Sequence, residues 1–312
     1  MKILVTGGAG FIGSHVVDAY IAMGHDVIVV DDLSSGSRDQ VNTRASFHQL
    51  DIRNPELRQV FERQQIDVVN HFAAQMDVRR SVADPKFDAS VNVIGGLNLF
   101  ELSREAGVKK IIFSSTGGAI YGEQDYFPAD EVHPVRPLSP YGITKLVTEK
   151  YLYYYKAVHG IPFVVLRYAN VYGPRQNPHG EAGVVAIFAK KMIEEETPVI
   201  NGDGKQTRDY TYVGDVVRAN CLALEYSGSE IFNVGTGIET DVNQLFRMLR
   251  GFLKPECPES HGPAKLGEQM RSVISWEKIH RELGWSPQVT FSEGLAKTAD
   301  FFRKKYARKG NA

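Results

Sequence analysis

Short apolar runs alternate with amphipathic stretches through the first half of the chain. Lys2–Thr6 is a compact apolar run that ends at glycines, and a helical pattern follows to about Met23. Asp26–Val30 (DVIVV), Phe47–Leu50, Asp67–Asn70, Lys110–Phe113 and Pro162–Arg167 (PFVVLR) are further strand-type runs. Helical patterns lie between them near Pro55–Gln65 and Phe87–Ala106. Strands alternating with helices predict βαβ units and a parallel sheet. The runs are nearly unbroken rather than alternately apolar and polar, which predicts a doubly wound α/β sheet covered on both faces.

The pattern changes after Tyr168. Asn170–Gly183 is rich in glycine, proline and polar groups and reads as a long loop. A helix-like stretch runs to about Glu196, a Gly/Asp loop spans Asn201–Gly204, Asp215–Tyr226 reads as helix and Ile231–Val234 as one more strand. Ser275–Gly284 and Phe291–Lys305 read as helical. The expected division is residues 1–169 plus about 213–235 in one domain, and about 170–212 plus 236–312 in a smaller α+β lobe.

Composition narrows the function classes. The 312 residues suffice for one large or two medium domains. Lys+Arg total 36 against Asp+Glu 37, so the net charge of −1 gives no electrostatic case for nucleic acid or an anionic membrane as partner. No apolar run approaches the ~20 residues that span a bilayer. The start MKILVTGGAGFIG reads as strand and turn, not as a signal peptide. Cys221 and Cys257 are the two cysteines and fit a reducing cytoplasm. The nine histidines show no metal-ligand spacing, so no metal is expected.

The first glycines carry chemistry. Gly7, Gly10 and Gly13 stand between a strand and a helix, spaced G-x-x-G-x-x-G, with Phe11 and Ile12 opening the helix. Glycine permits positive φ and close backbone approach to a pyrophosphate, and the helix N-terminus offers its free N–H groups to the negative charge. This is the phosphate turn of a Rossmann-type domain. The second strand ends at Asp31-Asp32, roughly 18 residues past Gly13, where a ribose-reading acid is expected. A carboxylate there accepts ribose hydroxyls and repels a 2′-phosphate, favouring NAD over NADP; nearby Arg38 would soften that preference.

Tyr141 and Lys145 stand four apart behind Ser139, a candidate N-cap, and Pro140, a candidate first helical residue. Positions i and i+4 share a helix face. A tyrosine with an ordinary pKa of about 10 is a poor base at neutral pH, and an adjacent ammonium lowers it; a drop of ~3 units needs about 4 kcal/mol. Ser114-Ser115-Thr116 follows the fifth strand, where a hydroxyl can reach the reacting alcohol and the tyrosine oxygen.

TGGAGFIGSH from Thr6, the Asp31-Asp32 pair, Asp51-Ile52-Arg53, His71-Phe72-Ala73-Ala74-Gln75, SSTGGAIYG from Ser114, Tyr141 with Lys145, LRYANVYGPR from Leu166 and Arg208-Asp209-Tyr210 together span essentially the whole chain. In these motifs it resembles the extended short-chain dehydrogenases/reductases, and within them the UDP-glucose 4-epimerase family of bacteria and archaea. The resemblance implies a tightly bound NAD, with Asp51 and Ile52 holding adenine and Ser35, Gly36, Ala73, Ala74, Gln75, Asn92 and Ser114 lining the cofactor. Tyr168 would sit by the nicotinamide. Asn170 and Arg208 would grip a nucleotide diphosphate, and Val184, Ile200, Lys265, Glu268 and Ser272 would complete the UDP-sugar site in the C-terminal lobe. Ser272 falls where relatives with a bulky tyrosine exclude N-acetyl sugars. The helices near 88–106 and 140–158 would pair in a homodimer.

Three departures stand out. Gly117-Gly118 follow the hydroxyl residues, so Thr116 and Ser115 both remain candidates for the catalytic role. Lys265 replaces a diphosphate-binding arginine, and lysine cannot reproduce the bidentate fork. Met76 replaces a lysine near the phosphates. The reading is epimerisation at C4 of a UDP-hexose through a 4-keto sugar. The alternatives are a nucleotide-sugar 4,6-dehydratase or decarboxylase, and a non-catalytic NAD-binding sensor. Elimination is disfavoured because Gly117-Gly118 offer no proton where dehydratases carry Asp-Glu. A sensor typically loses the Tyr or the Lys.

Overall fold

The computed structural model describes residues 1–179, 183–265 and 269–307. The apolar runs of the first half become β1 (Lys2–Thr6), β2 (Asp26–Asp31), β3 (Ser46–Gln49), β4 (Val68–His71), β5 (Lys110–Thr116) and β6 (Phe163–Tyr168). Next come β7 (Asn170–Tyr172), β8 (Val199–Asn201), β9 (Thr207–Tyr212), β10 (Glu230–Val234), β11 (Glu239–Asp241) and β12 (Ser260–Gly262). The main sheet has seven parallel strands in the order β3-β2-β1-β4-β5-β6-β10. This is the Rossmann-type doubly wound arrangement. The winding reverses between β1 and β4, and ligands of such sheets bind outside the carboxyl ends at that point. Thr6, His71, Thr116 and Tyr168 are the last residues of β1, β4, β5 and β6, so the motif residues just beyond them meet there.

One face of the sheet buries the helices Phe11–Ala22 and Val213–Glu225 through Val16, Val17, Tyr20, Val216, Ala219 and Leu224. The other buries Leu57–Arg63, Gly96–Glu105 and Pro140–His159 through Leu57, Leu99, Phe100, Leu152 and Tyr155. Apolar cover on both sides is the physical reason the strands read as continuous runs.

A second core gathers Phe188, Phe246, Leu249, Leu295 and Phe302 from the helices Val184–Ile193, Val242–Leu253 and Phe291–Ala307. Two small sheets, β11-β9-β7 and β12-β8, complete this lobe. The stretch expected as a loop after Tyr168 opens with β7, which pairs in parallel with β9. The C-terminal tail divides: Ile279 and Trp285 join the core of the first domain, where Trp285 is fully buried and donates through Nε1 to the Asp215 carbonyl at 2.9 Å. Among the described residues no helix is long and apolar enough to cross a membrane.

Candidate active site

The glycine turn leaves no room for side chains. Gly7 has φ +71°, and a Cβ on it would lie 2.6 Å from the Ala73 amide nitrogen. A Cβ on Gly13 would lie 2.2 Å from the Gly7 carbonyl oxygen. Gly10 caps the helix Phe11–Ala22 without a side-chain hydrogen bond, which leaves the first-turn N–H groups to an anion. The cradle thus fits the pyrophosphate of a dinucleotide.

Asp31 is fixed beside this turn. Its carboxylate accepts the Ala9 N–H at 2.9 Å and the Leu33 N–H at 2.8 Å. Burial raises its pKa, and those two N–H groups pull it back. A carboxylate has lone pairs beyond these two bonds for ribose hydroxyls. Asp32 is exposed and closes its own turn on the Ser34 N–H at 2.9 Å. Ser35 is exposed, and Gly36 packs where a Cβ would lie 2.8 Å from the Ala9 carbonyl. Arg38 lies over the Phe47 ring at 4.4 Å. Asp51 pairs with Arg53 at 2.5 Å, which holds its carboxyl below the usual range, and Ile52 is buried.

Ala73 and Ala74 leave β4 at the turn, where the Ala73 N–H donates to Thr6 Oγ1 at 3.3 Å. Gln75 and Asn92 bond each other twice: the Gln75 N–H donates to Asn92 Oδ1 at 2.8 Å, and Asn92 Nδ2 donates to the Gln75 carbonyl at 3.0 Å. Asn92 Nδ2 also lies 3.1 Å from Asp88 and from Thr144. Asn92 sits in a π-helical turn, Ser90–Gly95, that interrupts the expected Phe87–Ala106 helix. Such bulges occur often at functional sites.

The Pro140–His159 helix starts as its sequence predicts. Ser139 Oγ accepts the Gly142 N–H at 3.2 Å, Pro140 is the first helical residue, and Gly160 ends the helix at φ 73°. Lys145 is 4% exposed and donates to the Ser114 carbonyl at 2.8 Å, with Nζ 5.9 Å from the Tyr141 ring centroid. Burial brings the Lys145 pKa down to about 8, against the upward pull of Asp88 and Glu149. Burial also pushes the Tyr141 phenol up, Asp88 pushes it the same way, and the Thr116 side chain pulls it back. The protein alone therefore holds Tyr141 above its ordinary pKa, not below it as the neighbouring ammonium suggests. Loss of hydration is the largest cause.

Strand alternation separates the two hydroxyl candidates. Ser115 points to the Pro140–His159 helix and donates to Glu149 Oε1 at 2.6 Å. Thr116 lies at Tyr141 and accepts the Ala119 N–H at 3.2 Å. In the sheet register Thr116 faces Tyr168, whose hydroxyl accepts from Asn220 Nδ2 at 2.9 Å and which also bonds the Ser114 side chain.

The second lobe closes on the same end of the sheet. The Thr207 N–H donates to the Met270 carbonyl and the Asp209 N–H to the Ser272 carbonyl, each at 2.9 Å, so residues 270–272 run along β9. A Cβ on Gly117 would lie 2.6 Å from Ile274, and one on Gly118 would lie 3.5 Å from Asn170 Oδ1. Asn170, Gly117, Gly118 and the segment carrying Ser272 thus converge. Ser272 is buried, and Arg208 bonds the Thr207 carbonyl at 2.8 Å. Val184 begins its helix, the Ile200 side chain is wholly inside the second core, and Lys265 is exposed. Glu268 lies outside the described residues.

Sequence reasoning missed Asp88, Glu149 and Arg167. Glu149 had a signal, since it stands one helical turn past Lys145 and continues the face of Tyr141. Arg167 is bidentate on it, with Nη2 at 2.6 Å and Nε at 3.0 Å.

The sheet, the glycine cradle and the Tyr–Lys pair define a dinucleotide-binding α/β enzyme. The sequence model of the NAD dependent epimerase/dehydratase family matches residues 3–235, and the chain belongs to that family. The UDP-glucose 4-epimerase of Mycolicibacterium smegmatis is 45% identical over 98% of this chain and 99% of its own. A UDP-glucose 4-epimerase from Thermotoga maritima, solved with UDP-glucose, is 50% identical, covers 98% of this chain and 100% of its own, and has a TM-score of 0.96. A Thermus thermophilus UDP-glucose 4-epimerase in complex with NAD is 44% identical over 97% of this chain and 99% of its own, with a TM-score of 0.92.

Proposed function

We propose that the protein is an NAD-dependent 4-epimerase of UDP-hexoses that interconverts UDP-glucose and UDP-galactose. The observation that carries this is Tyr141 set between Thr116 and Lys145 at the carboxyl end of the sheet, beside a pyrophosphate-sized glycine cradle. Gly7, Gly10 and Gly13 with the N–H groups of Phe11 and Ile12 hold the dinucleotide, Asp31 takes its ribose, and Ala73, Ala74, Ser114 and Tyr168 line the remainder. NAD held there would supply a reversible hydride acceptor for sugar C4. Tyr141 removes the proton of the 4-hydroxyl and gives it back to the 4-keto sugar. Thr116 holds the phenol oxygen toward that hydroxyl. Lys145 supplies positive charge that favours the phenolate. Asn92 and Ser115 position neighbours, because their polar groups are already bonded within the protein. Asn170, Arg208 and Lys265 grip the diphosphate, with Val184 at the nucleotide, while the Ile200 side chain, buried in the second core, is not free to reach it.

Residues 1–169 and about 213–235 form the NAD-binding unit, with Ile279 and Trp285 packed onto it. The remainder forms the nucleotide-sugar lobe. The exposed Ile94, Tyr153, Tyr154 and Val158 on the Ser90–Glu105 and Pro140–His159 segments suit a homodimer contact. The free thiols of Cys221 and Cys257 fit the cytoplasm.

Protein purified without added nucleotide should convert UDP-galactose to UDP-glucose with no NAD supplied, because net oxidation is zero and the cofactor stays bound. Dependence on added NAD, or accumulation of a dehydrated or decarboxylated sugar, would overturn the reading. The same assay addresses substrate range. Ser272 is small and buried in the segment that runs along β9, and on the reading that it faces the sugar C2 substituent, UDP-N-acetylglucosamine and UDP-N-acetylgalactosamine should also interconvert. Ser272→Tyr should cut kcat/KM for the N-acetyl pair by at least about 100-fold through overpacking, while sparing the smaller pair. Equal losses for both pairs would remove Ser272 as the size gate.

A further inference from the structure

A turn just past β7 ties the second lobe to the helix of the dinucleotide cradle. It runs Gly173-Pro174-Arg175-Gln176, and the Gln176 N–H closes it on the Gly173 carbonyl at 3.4 Å. Proline second and a positive φ third is the type II pattern, whose third position prefers glycine or asparagine. Here that position holds Arg175, at φ 67°. A long side chain in this strained backbone persists only where its surroundings hold it.

The wall of the cradle holds it. Arg175 Nη2 lies 2.7 Å from Asp18 Oδ2, and the Arg175 carbonyl accepts Gln40 Nε2 at 3.4 Å. The neighbouring Pro174 carbonyl accepts His15 Nε2 at 3.0 Å. Phe11, His15 and Asp18 share one face of the helix Phe11–Ala22, whose N-terminus is the pyrophosphate cradle. The His15 ring meets Phe11 edge-on, with centroids 6.2 Å apart. Gln40 ends the turn Arg38–Gln40. Just before that turn, the Ser37 N–H donates to the Ala9 carbonyl inside the glycine turn at 3.0 Å. From the same loop Asn42 Nδ2 reaches Asp18 Oδ1 at 2.7 Å. Asp18 is therefore where the cofactor helix, the loop beyond the ribose acid and the second lobe meet.

We propose that the Arg175–Asp18 pair is a latch that retains NAD, both side chains acting as positioning residues for the cradle. While it is closed, the helix and the 36–42 loop are held together as one wall, and the second lobe is anchored to them through β7. When it opens, the turn relaxes and the wall is free to part. Strain in the closed turn suits a contact that must yield when the cofactor is loaded. The two side chains are 28% and 34% exposed, so the tie is weak and sets how fast NAD leaves rather than whether it binds. The inference rests on NAD as the cofactor and not on the epimerase chemistry.

The test is exchange of bound NAD for radiolabelled NAD in purified holoenzyme, with no sugar present. Asp18→Asn removes the charge and keeps an oxygen for Asn42. Arg175→Ala removes the guanidinium and keeps the backbone strain. Each should speed exchange about three- to fivefold, the upper range for one part-exposed ion pair. The double variant should exchange no faster than the faster single one, because the second substitution has nothing left to break. Arg175→Gly restores the residue type the turn prefers, so it folds even if the alanine variant does not. It should exchange as fast as Arg175→Ala; if only the geometry of the turn mattered, it would stay at the wild-type rate. A wild-type rate in Asp18→Asn or Arg175→Gly, or single effects that multiply in the double variant, overturns the proposal. None of these readings uses turnover, so an enzyme inactive on UDP-galactose would sink the functional reading and leave the latch to be decided by the exchange rates.

Discussion

Tyr141→Phe should retain the fold and the bound cofactor while epimerase turnover falls by about 10²–10⁴-fold, the scale of one general base. The phenol oxygen is the only heavy atom removed, and the ring stays in a half-buried position where Lys145 Nζ is 5.9 Å from its centroid. The structure sharpens why so large a loss is expected. Burial and Asp88 both raise the Tyr141 pKa in the protein alone, so the phenolate depends on Lys145, Thr116 and the charge of the bound cofactor acting together. No other described side chain has been placed to take the proton of the 4-hydroxyl. The check is kcat by coupled assay of UDP-galactose consumption, alongside the NAD content of the purified variant. Turnover within tenfold of wild type would remove Tyr141 from the chemistry.

The parallel sheet was legible because both its faces are covered, which leaves β1, β2 and β6 as unbroken apolar runs. The glycine turn was legible because Gly7 and Gly13 have no room for a Cβ. Tyr141 and Lys145 were legible because one helix places them a turn apart. The second lobe was harder to read. Its strands β7, β8, β11 and β12 have three residues each, too few for a period of two to show. The Val242–Leu253 helix did carry a signal that went unused: Val242, Leu245, Phe246 and Leu249 form an i, i+3, i+4, i+7 stripe behind the Asp241 cap, which accepts the Gln244 N–H at 2.7 Å. The choice between Ser115 and Thr116 could not be made from spacing. It depends on Glu149, which comes from a distant part of the chain and takes the Ser115 hydroxyl away from the site. Asp88 stayed hidden for the same reason, since its partners Gln75, Asn92 and Thr144 meet only in the fold.

Arg167→Met should destabilise the protein by about 3–5 kcal/mol, a large share of the 5–15 kcal/mol typical of a folded protein. The Arg167 and Glu149 side chains are 4% and 1% exposed, so neither can regain water when its partner is lost. The arginine also donates to the Tyr121 hydroxyl at 3.0 Å, and Tyr121 donates to Asn233 Oδ1 at 2.7 Å, linking β6, the end of the short Gly117–Ile120 helix and β10. Methionine fills part of the volume but leaves Glu149 as a buried carboxylate with the Ser115 hydroxyl as its remaining bond. Glu149→Gln leaves the mirror problem, an arginine with no counter-charge. The double variant removes both charges, so its loss should be smaller than the sum of the two single losses by at least about 1 kcal/mol. Denaturant midpoints for the four proteins at neutral pH close this cycle. Additive losses would mean that the two side chains matter through packing alone. In that case the ion pair would not be what holds the Pro140–His159 helix, with Tyr141 and Lys145 on it, in register with the carboxyl ends of the sheet.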